Sequence, residues 1–498
     1  MKFHKKSIGQ WSGAIVAASA IIQPACAEVF AYHADHVLGT SLDMQIEARS
    51  KAGADLAWQA ARAEIDRLER IFSTWRDDSE ISRLNQTGQA SVSDELVELL
   101  KRCEYWRAQT GGALDCRFGN VIAAWSNAAE QGSVNLKHIA ELAALSRSAE
   151  IHADDSVAEV TVGATLNVDA LAKGVIIDAA VTAARAASTE AQAVLIDIGG
   201  DMRLDGMFTS GGVRVGVAGP GAADNETPAE IMLLNNAAIA SSGTGGRDVI
   251  IGGRTHSHII SPLTGQPQEA VETVTVIAPD AEAADGLATA FAVMGVAASL
   301  GYANSHEGIE ALIITRGGSR FVSNGWSQLS APVEKVTAEV AGVANPWPEN
   351  WSVDIAYEIP KINAGDYEYP YVVAWVTDAD NKPVRHLLML GDSPRWLEEN
   401  YVHWRRVGRK NPALVDHVAR PTRPPGRYDI VWDGRDDQGR PVEQGEYVLH
   451  IEASREHGGH QYEKTALTLT DKPVAVVTEA GSELGKVSIA FGKSDKGS

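Results

Sequence analysis

Leu166-Asn167-Val168-Asp169-Ala170-Leu171-Ala172-Lys173-Gly174 is the stretch from which the rest of the chain can be read. An apolar lead-in gives way to an Ala/Leu run, which predicts a strand turning into a helix. Small residues there let a backbone approach a ligand closely, and helix N–H groups favour anions. No Gly-rich phosphate loop precedes it, so the same residues also read as an ordinary helix start. Downstream, Val194–Ile198 is a short apolar run ending in Gly199-Gly200, the pattern of a buried strand at a tight turn. Val274–Ala278 and Ala311–Thr315 repeat it, and Asp280–Met294 reads as an Ala-rich helix capped by Asp280. Upstream, Ala52–Ile71 spaces Leu56, Ala60, Ala63, Leu68 and Ile71 as a helix face, and Asp94–Tyr105 does likewise. Residues 28–335 are therefore expected to form a mixed helix-and-strand, α+β unit.

The chain has 498 residues, enough for two to four domains at roughly 100–200 residues each. Lys+Arg is 44 and Asp+Glu 65, a net charge of −21. Such an acidic chain is not expected to bind nucleic acid, because affinity for phosphate backbones comes from cations. It would handle a phosphorylated ligand only with a metal ion or a local positive field. Lys2, Lys5 and Lys6, the apolar stretch Trp11–Ile22 and Ala25-Cys26-Ala27 predict a secretory signal over residues 1–27, cleaved after Ala27. Gln23-Pro24-Ala25 is a poor lipobox before Cys26, so no lipid anchor is expected. Only Cys103 and Cys116 then remain. They could pair in an oxidising compartment, but sequence alone does not bring them together. No second apolar run of about 20 residues follows, so no membrane span is expected in the mature protein.

Residues 336–350 read as a linker. Six of the chain's 12 tryptophans lie after residue 340. Tyr371–Val376 and Arg385–Leu390 flank the turn signal Asp378–Pro383, and Gly426–Trp432 and Gly445–Glu452 flank Asp433–Pro441 in the same way. Two hairpins in a small all-β, Ig-like sandwich over 351–498 are expected.

Three further segments carry chemistry. Phe72–Asn85 is rich in hydroxyls around Trp75, a loop able to stack a flat ring, or simply a well-capped exposed loop. His256–Gly265 contains two histidines at i, i+2 and a Pro-x-Thr-Gly turn; His258 could act as a base. In Ala284–Ala290, Asp285 and Thr289 share one helix face and could hold a hard cation such as Mg²⁺. Helix-dipole compensation by Asp285 and back-bonding by Thr289 explain the same residues without a metal.

In order along the chain, Leu38-Gly39-Thr40, Phe72–Asn85, Gly112-Ala113-Leu114-Asp115, Leu166–Gly174, Asp197-Ile198-Gly199-Gly200-Asp201, Ser242-Gly243, His258–Gly265 and Ala284–Ala290 resemble the motifs of the ApbE family of FAD:protein FMN transferases. The resemblance implies transfer of FMN from FAD to a Thr or Ser of an acceptor protein, with release of AMP. It implies Mg²⁺ held by Asp285, Thr289 and the backbone carbonyl of Ala172. Leu38, Gly39, Thr40, Trp75, Ala113, Leu114, Asp115, Asp169, Val175 and Ile259 fall at FAD-contacting positions, and His258 at that of the base. It also implies a periplasmic site of action and an acceptor that is a membrane-associated or periplasmic electron-transfer protein.

The chain departs from the pattern. Ser261 stands where an Asp is usual, Leu38 where Met is common, and Asn167, Asp169 and Ala170 replace an Asp and two glycines. Cys116-Arg117 stands where Pro-Thr is frequent. Val162-Gly163-Ala164-Thr165 echoes an acceptor motif but lacks its preceding hydroxyl residue, so self-modification is not expected. An FAD-storing protein or a Mg²⁺-dependent FAD pyrophosphatase are the alternative readings. The tail resembles the DUF2271-type domain, and Gly426–Tyr447 also looks like a FlgD-type Ig module; docking of an acceptor or redox partner and plain stabilisation are equal expectations for it.

Overall fold

The structure is a computed structural model describing residues 27–154, 156–219, 228–244, 248–331, 343–362, 369–390, 400–406, 419–420, 423, 425–455 and 458–493. The expected signal segment, apart from Ala27, and residues 336–342 of the expected linker lie outside them.

An eight-stranded antiparallel sheet organises the first group of elements. Its strand order is Glu28–Val37, Thr40–Ala48, Ala191–Ile198, Asp201–Asp205, Ala238–Gly243, Val271–Ala278, Glu310–Thr315 and Arg320–Val322. The period-two alternation of side chains divides it into two buried faces. Leu42, Met44, Ile46, Val194, Ile196, Val274, Val276, Ala311 and Ile313 face the helices Lys51–Phe72, Asp169–Ala187 and Ala281–Met294. Leu195, Leu204, Ile239, Ile277, Leu312 and Ile314 face a second sheet of Val213–Val217, Glu230–Leu234 and Ser330–Ala331. Burial on both faces explains why these strands read as near-continuous apolar runs.

Two helices touch through their backbones. A Cβ on Gly174 would lie 2.7 Å from the carbonyl carbon of Ala281. Alanine in place of a helical glycine ordinarily stabilises by about 0.5–1 kcal/mol. Here the clash with backbone wins, and Gly174→Ala should destabilise by about 1–3 kcal/mol, read as a lower urea midpoint.

The structure corrects two expectations here. Leu166–Val168 is not a strand; Thr165 makes a single bridge to Phe118, and Asn167 N–H donates to the Cys116 carbonyl at 2.8 Å. The helix does begin at Asp169. The first helix buries Ala54, Ala57, Ala61, Ile65, Leu68 and Ile71, leaving Leu56 55% exposed and Ala63 exposed. Its alanine stripe lets it lie close against the Asp169–Ala187 helix, and spacing alone favoured the bulkier leucine. Cys103 and Cys116, left open by sequence, form a disulfide that ties the Asp94–Gln109 helix to the segment after Asp115.

The second group is a two-sheet sandwich. One sheet runs Gly426–Trp432, Trp351–Ile359, Ser488–Lys493, Val474–Val477. The other runs Ala419–Arg420, Pro383–Leu390, Tyr371–Asp378, Gly445–Ser454, His460–Leu469. Val353, Ile355, Tyr357, Ile430 and Trp432 of the first meet Val372, Ala374, Val376, Leu449 and Ile451 of the second. The hairpin at 378–383 forms as expected. The expected hairpin of Gly426–Trp432 with Gly445–Glu452 does not: the former pairs with Trp351–Ile359, the latter with Tyr371–Asp378 and His460–Leu469, so the turn between them crosses from sheet to sheet.

Candidate functional site

The Asp169–Ala187 helix gathers most of the predicted residues around its first turns. Asn85 brackets Leu166, donating from Nδ2 to its carbonyl at 2.9 Å and accepting from its N–H at 2.7 Å. Thr74 Oγ1 donates to Asp169 Oδ1 at 2.9 Å. These bonds fix the Phe72–Asn85 loop beside the helix start, and Trp75 within it is 87% exposed.

Beneath that turn lies Asp285, buried in the Ala281–Met294 helix. Its Oδ2 accepts from Gly174 N–H at 3.1 Å, a bond that depends on the close approach at Gly174. Thr289, one turn on, has its hydroxyl 3.2 Å from Ser242 Oγ. Neither residue caps the helix. Asp280 accepts from Ala283 N–H at 2.8 Å, and Asp178 accepts from Ala281 and Glu282 N–H at 3.0 and 2.9 Å. Ala172 is buried in the first turn of the neighbouring helix, and Val175 packs at the edge of the same core. A Cβ on Gly286 would lie 3.3 Å from both Leu114 and Leu171, so the Ala113–Asp115 segment packs against this helix beside Asp285.

Asp115 is not free for a ligand. Arg117 grips its carboxylate with Nε–Oδ1 2.8 Å and Nη2–Oδ2 2.6 Å, and donates again to the Ala149 carbonyl at 2.7 Å. The buried carboxylate in turn holds the Arg117 guanidinium above its ordinary pKa. The departure at Cys116-Arg117 therefore supplies an internal counterion and a disulfide anchor.

Leu38-Gly39-Thr40 forms the left-handed turn between the first two strands, with φ 51° at Leu38 and 75° at Gly39. Thr40 packs against Gly199, so this turn adjoins Asp197–Asp201, and Lys173 closes the circle through an ion pair with Asp201. Burial pushes the Asp197 carboxyl up to about 7; Asp43 and Asp201 add to this, while the Gly200 N–H at 2.8 Å and Lys173 oppose it. An unfolded Asp ionises near 4. The contribution of this group to stability is thus fully present below that pH and is lost as pH rises through about 7. Asp197→Asn should flatten this slope between pH 5 and 8 and raise the melting temperature at the alkaline end; an unchanged slope would assign it to another group.

His258 stands in a separate loop. Its Nδ1 lies 2.9 Å from Asp248 Oδ1, which also accepts its backbone N–H at 3.1 Å. Among the described residues Nε2 has no hydrogen-bond partner, and the side chain is partly exposed. Ile259 beside it is buried. Ser261 builds the following turn through its backbone, accepting from Gly265 N–H at 2.7 Å, where the family pattern has an Asp. Leu263 lies within 3.7 Å of a Cβ on Gly112, and Arg147 donates to the Pro262 carbonyl at 3.3 Å, so the loop abuts the Ala113–Asp115 segment. No hydrogen bond joins His258 to Asp285 or Thr289 among the described residues. Sequence reading missed Asp248. The available signal was the Ile251-Gly252-Gly253-Arg254 turn: the hairpin pairs Val249 with His256, which returns His258 to the residue before the hairpin.

The model of the ApbE family matches residues 38–313, more than half the chain, and that described as "Predicted periplasmic protein (DUF2271)" matches 352–486. The FAD:protein FMN transferase of Vibrio cholerae is 31% identical over 274 residues, covering 51% of this chain and 79% of its own. That of Treponema pallidum is 27% identical over 305 residues, covering 56% and 83%. The crystal structure of the ApbE protein of Thermotoga maritima superposes with a TM-score of 0.55 at 23% identity, covering 61% of this chain and 100% of its own. The Vibrio cholerae flavin transferase ApbE gives 0.52 at 24%, covering 61% and 99%. These structural likenesses speak to the fold; the family match carries further, and on it the chain belongs to the ApbE family.

Proposed function

We propose that this protein transfers FMN from FAD to the hydroxyl of a Thr or Ser on an acceptor protein. The hydroxyl oxygen bonds to the phosphorus of the FMN half, the bridging P–O bond breaks, and AMP leaves. The observation that carries this is the placement of Asp285 and Thr289, one turn apart and bound to the head of the Asp169–Ala187 helix and to Ser242. A buried carboxylate, a hydroxyl and the Ala172 carbonyl are the hard oxygen donors that suit Mg²⁺. Bound there, Mg²⁺ would neutralise charge on the pyrophosphate.

The chain's own residues do the rest. Trp75 offers a stacking face for the isoalloxazine ring. Asp248 orients His258 so that Nε2 takes the proton of the attacking hydroxyl. Leu38–Thr40, Ala113, Leu114, Asp169, Val175 and Ile259 shape the flavin pocket around these groups. Asp115 contributes through its backbone, its carboxylate being held by Arg117. We assign residues 28–335 to the transferase unit and 351–498 to an appended sandwich. Action in the periplasm is supported by the expected signal segment, by the description of the second family, and by the disulfide, which suits an oxidising compartment. Among the described residues no helix is long and apolar enough to cross a membrane.

Purified protein incubated with FAD, Mg²⁺ and an acceptor carrying a Ser/Thr-Gly-Ala-Thr segment tests the proposal. Covalent acceptor flavin is the expected product. Free FMN without acceptor labelling would make it a pyrophosphatase, and unchanged FAD a storage protein.

A further inference from the structure

The sandwich hides a group of histidines that the transferase reading does not use. The outer face of its five-stranded sheet, away from the main core, is covered by the short helix Tyr401–Arg406. Between them lie Trp375, His386, His403 and His450, all buried. His450 is fully engaged, with Nε2 3.0 Å from Thr377 Oγ1 and Nδ1 2.7 Å from Tyr462 Oη. The other two are not. Among the described residues His386 Nε2 and both ring nitrogens of His403 are buried without any hydrogen-bond partner. Native proteins rarely leave buried polar atoms so, since each costs about 1–3 kcal/mol.

The surroundings prepare these nitrogens rather than satisfy them. Asp437 Oδ2 lies 2.6 Å from His386 Nδ1 and Oδ1 accepts the His386 backbone N–H at 2.8 Å, which fixes the ring and leaves Nε2 the lone-pair nitrogen. A carboxylate on the far nitrogen is the usual support of a metal-ligating histidine. Glu452, fully buried, accepts from the N–H groups of Val402 and His403 at 2.9 and 2.7 Å and sets His403 over the sheet. The two imidazole centroids are 5.7 Å apart with planes at 80°. Metal–nitrogen bonds of about 2.0–2.1 Å put two imidazoles on one ion with centroids about 5–6 Å apart. Met389, three residues beyond His386 on the same strand, shares the buried cluster with Trp375 and Val402.

We propose that His386 and His403 form a copper(I) site, with the thioether of Met389 as third donor. A set of two neutral imidazoles and a thioether, its neighbouring carboxylates already engaged, is soft and low in coordination number. Structural zinc asks for four ligands and finds no thiolate here, because Cys103 and Cys116 are joined in the disulfide. The proposal stands apart from the transferase reading and uses none of its residues.

The test loads the purified full-length secreted protein anaerobically with copper(I), followed by competition against bicinchoninate and X-ray absorption spectroscopy. One retained ion with two imidazole nitrogens and one sulfur is expected. His386→Gln and His403→Gln should each weaken retention at least about tenfold, while FMN transfer is unchanged. Met389→Leu, which keeps the volume, should remove the sulfur signal and retain the imidazoles. Loss of all copper from the wild-type protein on desalting would overturn the proposal, as would a spectrum without imidazole nitrogen or equal retention by the double histidine variant. Zinc(II) held more tightly than copper(I) on the same histidines would overturn the choice of metal. If a histidine variant fails to fold, the wild-type spectrum and Met389→Leu decide.

Discussion

Asp285→Ala should abolish metal-dependent turnover of FAD, with a fall in rate of at least about 10³-fold. Charge neutralisation at a transferring phosphoryl group is worth several kcal/mol, and each 1.4 kcal/mol is about tenfold in rate. Alanine also removes the acceptor of the Gly174 N–H, so a lost fold must be separated from a lost metal. Asp285→Asn makes that separation. Its amide oxygen still accepts from Gly174, so the variant should melt near the wild type yet no longer respond to Mg²⁺. Chelation of the wild-type enzyme with EDTA should reproduce the same loss reversibly. Activity retained in Asp285→Asn across a magnesium titration would remove Asp285 from the ligand set.

His258→Ala should lower the transfer rate by about 10²–10⁴-fold, the range for removing a general base, with FAD binding unchanged. Asp248→Asn tests the positioning role of its carboxylate. Asparagine can still accept the His258 backbone N–H, so the loop should keep its shape. Both contacts fall on the same Oδ1, so asparagine in that orientation keeps the tautomer but lacks the negative charge that stabilises the imidazolium formed when Nε2 takes the proton. A fall in kcat with KM for FAD unchanged is expected. A rise in KM with kcat unchanged would mean that Asp248 shapes the flavin pocket instead.

The sequence made the Asp280 cap and the Asp285/Thr289 pair legible, because both are local: a capping Asp and an i, i+4 spacing need only the helix itself. The strand Val194–Ile198 and its Gly-Gly turn were legible for the same reason. What escaped was non-local. Asp248 reaches His258 only once the intervening hairpin folds. Asp115 and Arg117, read from the sequence as a flavin-contacting position and a departure from the family pattern, also form one buried ion pair. Gly426–Trp432 and Gly445–Ser454 carry hairpin signals at their ends, and distant partners along the chain, such as Val353 for Trp432 and Tyr371 for Ser454, decide their sheets. The buried stripe of the first helix was misread because tight helix packing rewards alanine over leucine. The histidines of the sandwich gave no motif at all, being brought together by three strands and a short helix.

Anomalous diffraction from crystals soaked with FAD and Mn²⁺, a stand-in for Mg²⁺, tests the central claim most directly. The account predicts one peak within bonding distance of the Asp285 carboxylate, the Thr289 hydroxyl and a pyrophosphate oxygen. Well-ordered FAD with the peak elsewhere, or with no peak, would contradict it.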